Sequence, residues 1–167
     1  MVSIPGPSVI PDRVLAAMHR PMPNIYEGEL VEISYSVQDD LRKIARNEQP
    51  VYITVSNGHG AWEMAISNTL SRGDKVLVLE SGRFAVGCGE IAETSGVKTE
   101  ILPGIDADPV DPAAVEQRLR ADLSREITAV MVVQVDTATS VRNDIPAIRA
   151  AMDAAEHPAL LMVDCIA

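Results

Sequence analysis

The chain has 167 residues, 47% of them hydrophobic, and a formal net charge of -10. That length supports one domain with a sizeable core, and the composition is globular rather than disordered. The charge argues against general nucleic-acid binding, which needs a basic surface; an anionic ligand stays open, because a phosphate site is built locally from backbone N–H groups.

Residues 1–10, with Pro5, Gly6, Pro7 and Ser8, read as an extended arm. Pro11-Asp12-Arg13 opens a short helix to about residue 20, broken by Pro21 and Pro23. Leu30, Ile33, Val37, Leu41 and Ile44 recur at helical spacing and predict a helix over 27–47. Residues 51–55 alternate like a strand. Ser56-Asn57-Gly58-His59-Gly60 reads as a turn into a helix over 61–70, closed by Arg72-Gly73-Asp74. A strand over 76–79, a helix over 84–94 and a strand over 97–102 follow, then a Pro/Gly/Asp loop. Asp111-Pro112 caps a helix to about 123, with proline in its first turn. Residues 127–133 and 159–163 predict buried strands, separated by a helix over 144–155. Strands alternating with helices of this length predict a three-layer α/β fold with a mostly parallel sheet.

Ligands of such sheets sit beyond the carboxyl ends of the strands, so the residues there are the candidates for chemistry. In Ser56-Asn57-Gly58-His59-Gly60, glycines admit close backbone approach and a helix N-terminus offers free N–H groups, which suits a phosphate. A tight turn that binds nothing is the alternative. The segment is neither GxGxxG nor a Walker loop. Asp164 ends an apolar run and could hold a metal, a ribose or a heterocyclic N–H, or simply cap a helix. Gln134-Val135-Asp136-Thr137-Ala138-Thr139-Ser140 is rich in hydroxyls able to donate to a phosphate or phenolate oxygen, or is a plain polar turn. Phe84, the only Phe, could cover a flat ring or lie in the core.

Cys88 and Cys165 form no CxxC pair, and with three scattered histidines they give no zinc spacing, so no metal is expected. Trp62 reads as helix core, and His19, His157 and Cys88 receive no role. No leader peptide is read at the N-terminus, and the apolar runs are too short to span a bilayer. A cytoplasmic setting, away from membranes and nucleic acid, is expected. The apolar run at the C-terminus suggests truncation, because a parallel strand needs covering on both faces.

Taken in order, these pieces resemble the class V (fold type I) aminotransferases, in particular their alanine–glyoxylate and serine–glyoxylate branch. Pro5-Gly6-Pro7-Ser8 with Pro11 is similar to the branch's GPxxxP segment. Asn57-Gly58-His59-Gly60-Ala61-Trp62-Glu63 resembles its S/N-G-H-x-A-x-E turn, and Gly73-Asp74-Lys75-Val76-Leu77-Val78 its G-D-x-V-L-V strand entry. Asp136-Thr137-Ala138-Thr139-Ser140-Val141 resembles E-T-[SA]-T-G-V, and Val163-Asp164-Cys165-Ile166-Ala167 resembles V-D-[SA]-[VI]-[AS].

The resemblance implies an arm and short helix over 1–20, then a partial large domain of a fold type I transferase over 21–167, without the small C-terminal domain. It implies pyridoxal 5'-phosphate (PLP) as cofactor. Gly58 and His59 would give backbone N–H groups to its phosphate, Phe84 would stack on its ring, Thr137 would hydrogen-bond it, and Asp164 would pair with the ring nitrogen. The implied reaction is transamination between serine or alanine and glyoxylate or pyruvate, in a homodimer. Three departures stand out: Asp136 replaces the usual Glu, Ser140 the usual Gly, and none of Lys43, Lys75 and Lys98 sits where the family's Schiff-base lysine is expected. The 167 residues are therefore expected to be inactive alone. A non-catalytic relative, and within the family a cysteine desulfurase or lyase, are the alternatives.

Overall fold

The computed structural model describes residues 8–104 and 108–167. Pro5, Gly6 and Pro7 of the expected arm lie outside the described residues. The chain divides into two compact units at Val55/Ser56. In the first, α1 (Asp12–Met18) and α2 (Glu29–Ile44) have no buried residues. Glu29 and Glu32 in the first turn of α2 and Arg42 and Lys43 in its last complement the helix dipole. The strand expected over 51–55 is absent. Tyr52, Ile53 and Val55 are exposed, and no described strand pairs with the segment; alternation alone does not make a strand without a hydrogen-bonding neighbour.

The second unit opens with α3 (Gly58–Thr69), then β1 (Lys75–Leu79), α4 (Arg83–Thr94), β2 (Lys98–Leu102), α5 (Pro112–Ala121), β3 (Ile127–Val133), α6 (Ile145–Ala154) and β4 (Leu160–Asp164). The strands form one parallel sheet in the order β2-β1-β3-β4. The central strands are buried on both faces, which is why Val76-Leu77-Val78-Leu79 and residues 129–133 are unbroken apolar runs. Side chains alternate across the sheet. Val76 and Val78 pack with Trp62 and Ile66 of α3 and with Ala85, Cys88 and Ala92 of α4. Leu77 and Leu79 pack with Val115 and Leu119 of α5 and with Ile148 and Met152 of α6. The result is the expected three-layer, mostly parallel α/β arrangement. Each of these large side chains contributes about 1.5–3 kcal/mol by leaving water.

Element ends follow local chemistry. Asn57, Asp111 and Asp144 each accept a first-turn N–H with their side chains and start α3, α5 and α6. The Asn57 cap draws Gly58, His59 and Gly60 into the first helical turn, so α3 begins earlier than the expected 61. α5 ends at Ala121, short of the expected 123, because Asp122 turns inward. Its carboxylate accepts the Ile127 N–H at 2.9 Å and lies 3.2 Å from Nε2 of the buried His157. Burial alone would raise the Asp122 carboxyl; the N–H groups of Ile127 and Glu126, with His157, hold it below its ordinary range.

Candidate functional site

A cleft of about 240 Å³ opens at the carboxyl end of the sheet, lined by Val133, Phe84, Thr137 and Asp164 from the ends of β3, β1 and β4. The chain leaves β1 toward β2 on one side and leaves β3 toward β4 on the other. The cleft therefore lies at the switch point where parallel sheets collect ligands. Its volume is just below the roughly 300–1,000 Å³ typical of small-molecule sites.

Gly58 and His59 bring the N-terminus of α3 into the same cleft. The Asn57 side chain accepts the Gly60 N–H at 3.1 Å, and the Ala61 N–H goes to the Asn57 carbonyl. The N–H groups of Gly58 and His59 find no acceptor among the described residues. The first turn carries no acidic side chain to compete for them. Two free N–H groups and a helix dipole favour an anion there.

Asp164 closes β4 and is half-buried. Its Oδ2 accepts the indole N–H of Trp62 at 3.0 Å, and its Oδ1 accepts the backbone N–H of Ile166 at 3.0 Å. A carboxylate offers about four acceptor positions, so capacity remains for a donor in the cleft. Cys88 also lines the cleft. Burial, and then the carboxylates of Asp164 and Asp136, push its thiol up to about 12, so it stays protonated and unreactive at neutral pH.

Phe84 is 40% exposed, so this lone Phe is presented to the cleft rather than absorbed by the core. Its backbone is held by Asp136. One carboxylate oxygen of this fully buried residue accepts the N–H of Phe84 at 2.9 Å and of Ala85 at 3.1 Å; the other accepts the N–H of Ala138 at 2.9 Å. The N-cap position of α4 is Gly82, which has no capping side chain, so Asp136 supplies the cap from 52 residues away. Gly82 is required by that approach: a Cβ there would lie 2.4 Å from the Asp136 carboxyl carbon. The loop after β3 is tied down by Thr139, whose hydroxyl donates to the Ser81 carbonyl at 2.8 Å. Buried Asn143 donates to the Ser81 hydroxyl and the Val133 carbonyl and accepts the Val110 N–H.

The cleft thus gathers Gly58, His59, Phe84, Thr137 and Asp164 from separate stretches of chain. Sequence reading missed three contributors. Pattern places Trp62 in the core, and it is buried, but its N–H serves Asp164. Asp136 enters the sequence reading only as part of the polar segment 134–140 and as a departure from the family pattern, and Asn143 not at all; their partners lie too far along the chain to be legible.

No family model matches the chain. Over 162 residues the chain is 40% identical to the serine–glyoxylate aminotransferase of Hyphomicrobium methylovorum, covering 96% of this chain and 40% of that protein. Over 164 residues it is 35% identical to the L-aspartate–glyoxylate aminotransferase of Paracoccus denitrificans, covering 98% and 41%. Its fold is similar to the crystal structure of the subgroup IV aspartate aminotransferase from Thermus thermophilus, with a TM-score of 0.81 and 26% identity over 95% of this chain and 44% of that one. The chain spans about 40% of the length of the curated relatives it matches. Sequence and fold agree that the chain belongs to the fold type I, class V PLP aminotransferases, is related to the serine– and alanine–glyoxylate enzymes, and matches part of such a protein.

Proposed function

We propose that this chain forms the cofactor-facing part of a PLP-dependent aminotransferase that moves an amino group between a small amino acid and a 2-oxo acid. The observation that carries this reading is the donor set of one cleft: two free N–H groups at the α3 N-terminus, an exposed aromatic, and a carboxylate with spare acceptor capacity. That set fits PLP, which is anionic at one end, flat, and basic at its ring nitrogen.

When bound, the cofactor draws electrons from the bond broken at the amino acid's α-carbon. The chain's residues prepare that chemistry. Gly58 and His59 hold the phosphate through their N–H groups. Phe84 covers the ring and keeps water from its face, and the Thr137 hydroxyl donates to a cofactor oxygen. Asp164 holds a proton on the ring nitrogen, because a carboxylate beside it favours the charged form. Among the described residues no lysine lines the cleft. Lys75 and Lys98 open β1 and β2, at the opposite end of the sheet. The proposed reading expects the lysine that carries the cofactor in such enzymes outside these 167 residues.

Glyoxylate is named in both relatives, with serine in one and L-aspartate in the other, so glyoxylate is the acceptor of choice, with serine, alanine or aspartate as donor. Among the described residues no helix is long and apolar enough to cross a membrane; a cytoplasmic homodimer is the proposed setting. The test is a half-reaction in the full-length protein that carries this segment. Serine or alanine should convert bound PLP to its amine form, read by cofactor absorbance, and glyoxylate should reverse it. Release of sulfur from cysteine without amine formation would contradict the proposal.

A further inference from the structure

The indole of Trp62 is only 7% exposed, packed among Ile66, Val76 and Ala85. A buried indole N–H must find an acceptor. This one reaches the carboxylate of Asp164, 102 residues along the chain, at 3.0 Å. The other carboxylate oxygen is held by the Ile166 N–H. With a donor on each oxygen, rotation of the carboxylate is blocked. Trp62 also lies four residues after Gly58, on the same face of α3. One helix thus carries both the free N–H groups that suit an anion and, about 6 Å further along its axis, the donor that fixes Asp164.

We infer that Trp62 is the positioning residue for Asp164: through its indole N–H, α3 sets the orientation of the carboxylate and ties it to the anion-binding turn. The cleft then selects a flat nitrogen heterocycle whose ring nitrogen carries a proton and whose phosphate reaches Gly58 and His59. This rests on the proposed function for the identity of the ligand, but the Trp62–Asp164 pair stands without it.

Two measurements test it. The first needs no cofactor. Trp62 is the only Trp in the sequence, so one indole N–H signal is expected in a ¹⁵N NMR spectrum of the 167-residue chain. It should be shifted downfield and protected from exchange, and Asp164→Ala should return it to the position of a free indole. A free-indole signal in the unsubstituted chain overturns the inference. The second, in the full-length protein that carries this segment, compares PLP with an analogue in which a C–H replaces the ring nitrogen. Trp62→Phe keeps the ring packing and removes the donor. It should weaken PLP binding about ten-fold, the usual effect of losing one hydrogen bond to a charged group, and leave the analogue's binding unchanged. Equal losses for both ligands would make Trp62 merely structural and overturn the inference, as would no loss for either. If the unsubstituted full-length protein binds no PLP, the proposed function fails instead, and the indole signal still decides whether Trp62 holds Asp164.

Discussion

Asp136 and Phe84 are joined by a hydrogen bond of 2.9 Å from the Phe84 N–H to a wholly buried carboxylate, and that bond fixes the loop after β1 to the loop after β3. Both loops line the cleft, so its two walls share one anchor. Asp136→Ala would leave the N–H groups of Phe84, Ala85 and Ala138 without their acceptor. The expected cost is about 2–4 kcal/mol, the sum of a lost cap and buried unsatisfied donors. Urea unfolding monitored by circular dichroism measures it.

Gly82→Ala tests the same anchor from the other side. The new Cβ would meet the Asp136 carboxyl carbon at 2.4 Å, so one of the two loops must shift. A loss of about 1–3 kcal/mol is expected, together with weaker PLP binding because Phe84 moves with the loop. Stability and affinity should fall together in this variant.

Ser140 has φ 62, in the left-handed region that favours glycine. It stands where the E-T-[SA]-T-G-V pattern has Gly. Ser140→Gly removes the Cβ penalty and is expected to change stability by less than about 1 kcal/mol, in the stabilising direction, since the strain relieved exceeds the entropy glycine adds to the unfolded chain. The midpoint of urea unfolding reports the sign.

Glu100 joins the layers away from the cleft. Arg118 of α5 binds it through a bidentate pair, and Lys75 of β1 lies 2.6 Å from its Oε2. The Arg118 hydrogen bond first, and Lys75 next, hold its carboxyl down at about 2 against the burial that would raise it. A depressed carboxyl stabilises the fold above its unfolded value, near 4.3, and loses that contribution as pH falls toward 2. The pair is partly solvated, so on the order of 1 kcal/mol is at stake. Unfolding free energies at pH 7, 4, 3 and 2 should fall more steeply in the unsubstituted chain than in Glu100→Gln.

Most of the α/β unit was legible because its signals are local. The central strand 127–133 is an apolar run that needs no partner to be recognised, and Asp111-Pro112 announces α5 by cap chemistry alone. Residues 51–55 differ because Val-Tyr-Ile-Thr-Val has the strand alternation but no strand to bond to among the described residues. The cleft was half legible: Gly58, His59, Phe84, Thr137 and Asp164 lie at element ends that sequence pattern can locate. What holds them was not. Trp62 reaches Asp164 and Asp136 reaches Phe84 across long stretches of chain, and no periodicity encodes which buried donor meets which buried acceptor.

The thiols report the packing around the cleft. Cys88 is buried and its thiol is held near 12, while Cys165 is exposed, with a thiol raised first by its surroundings and then by Asp164. At pH 8 the native chain should lose only one thiol to an alkylating reagent, slowly and at Cys165, and the second only on unfolding. Mass spectrometry of the labelled peptides identifies the order.

The most direct test of the cofactor reading is equilibrium dialysis of the cofactor-stripped full-length protein that carries this segment against PLP, with Asp164→Ala alongside. Saturable binding of one PLP per chain is expected, weakened at least about ten-fold in the variant by loss of the charged partner. Absence of saturable binding, or equal affinity in the two proteins, would contradict the account.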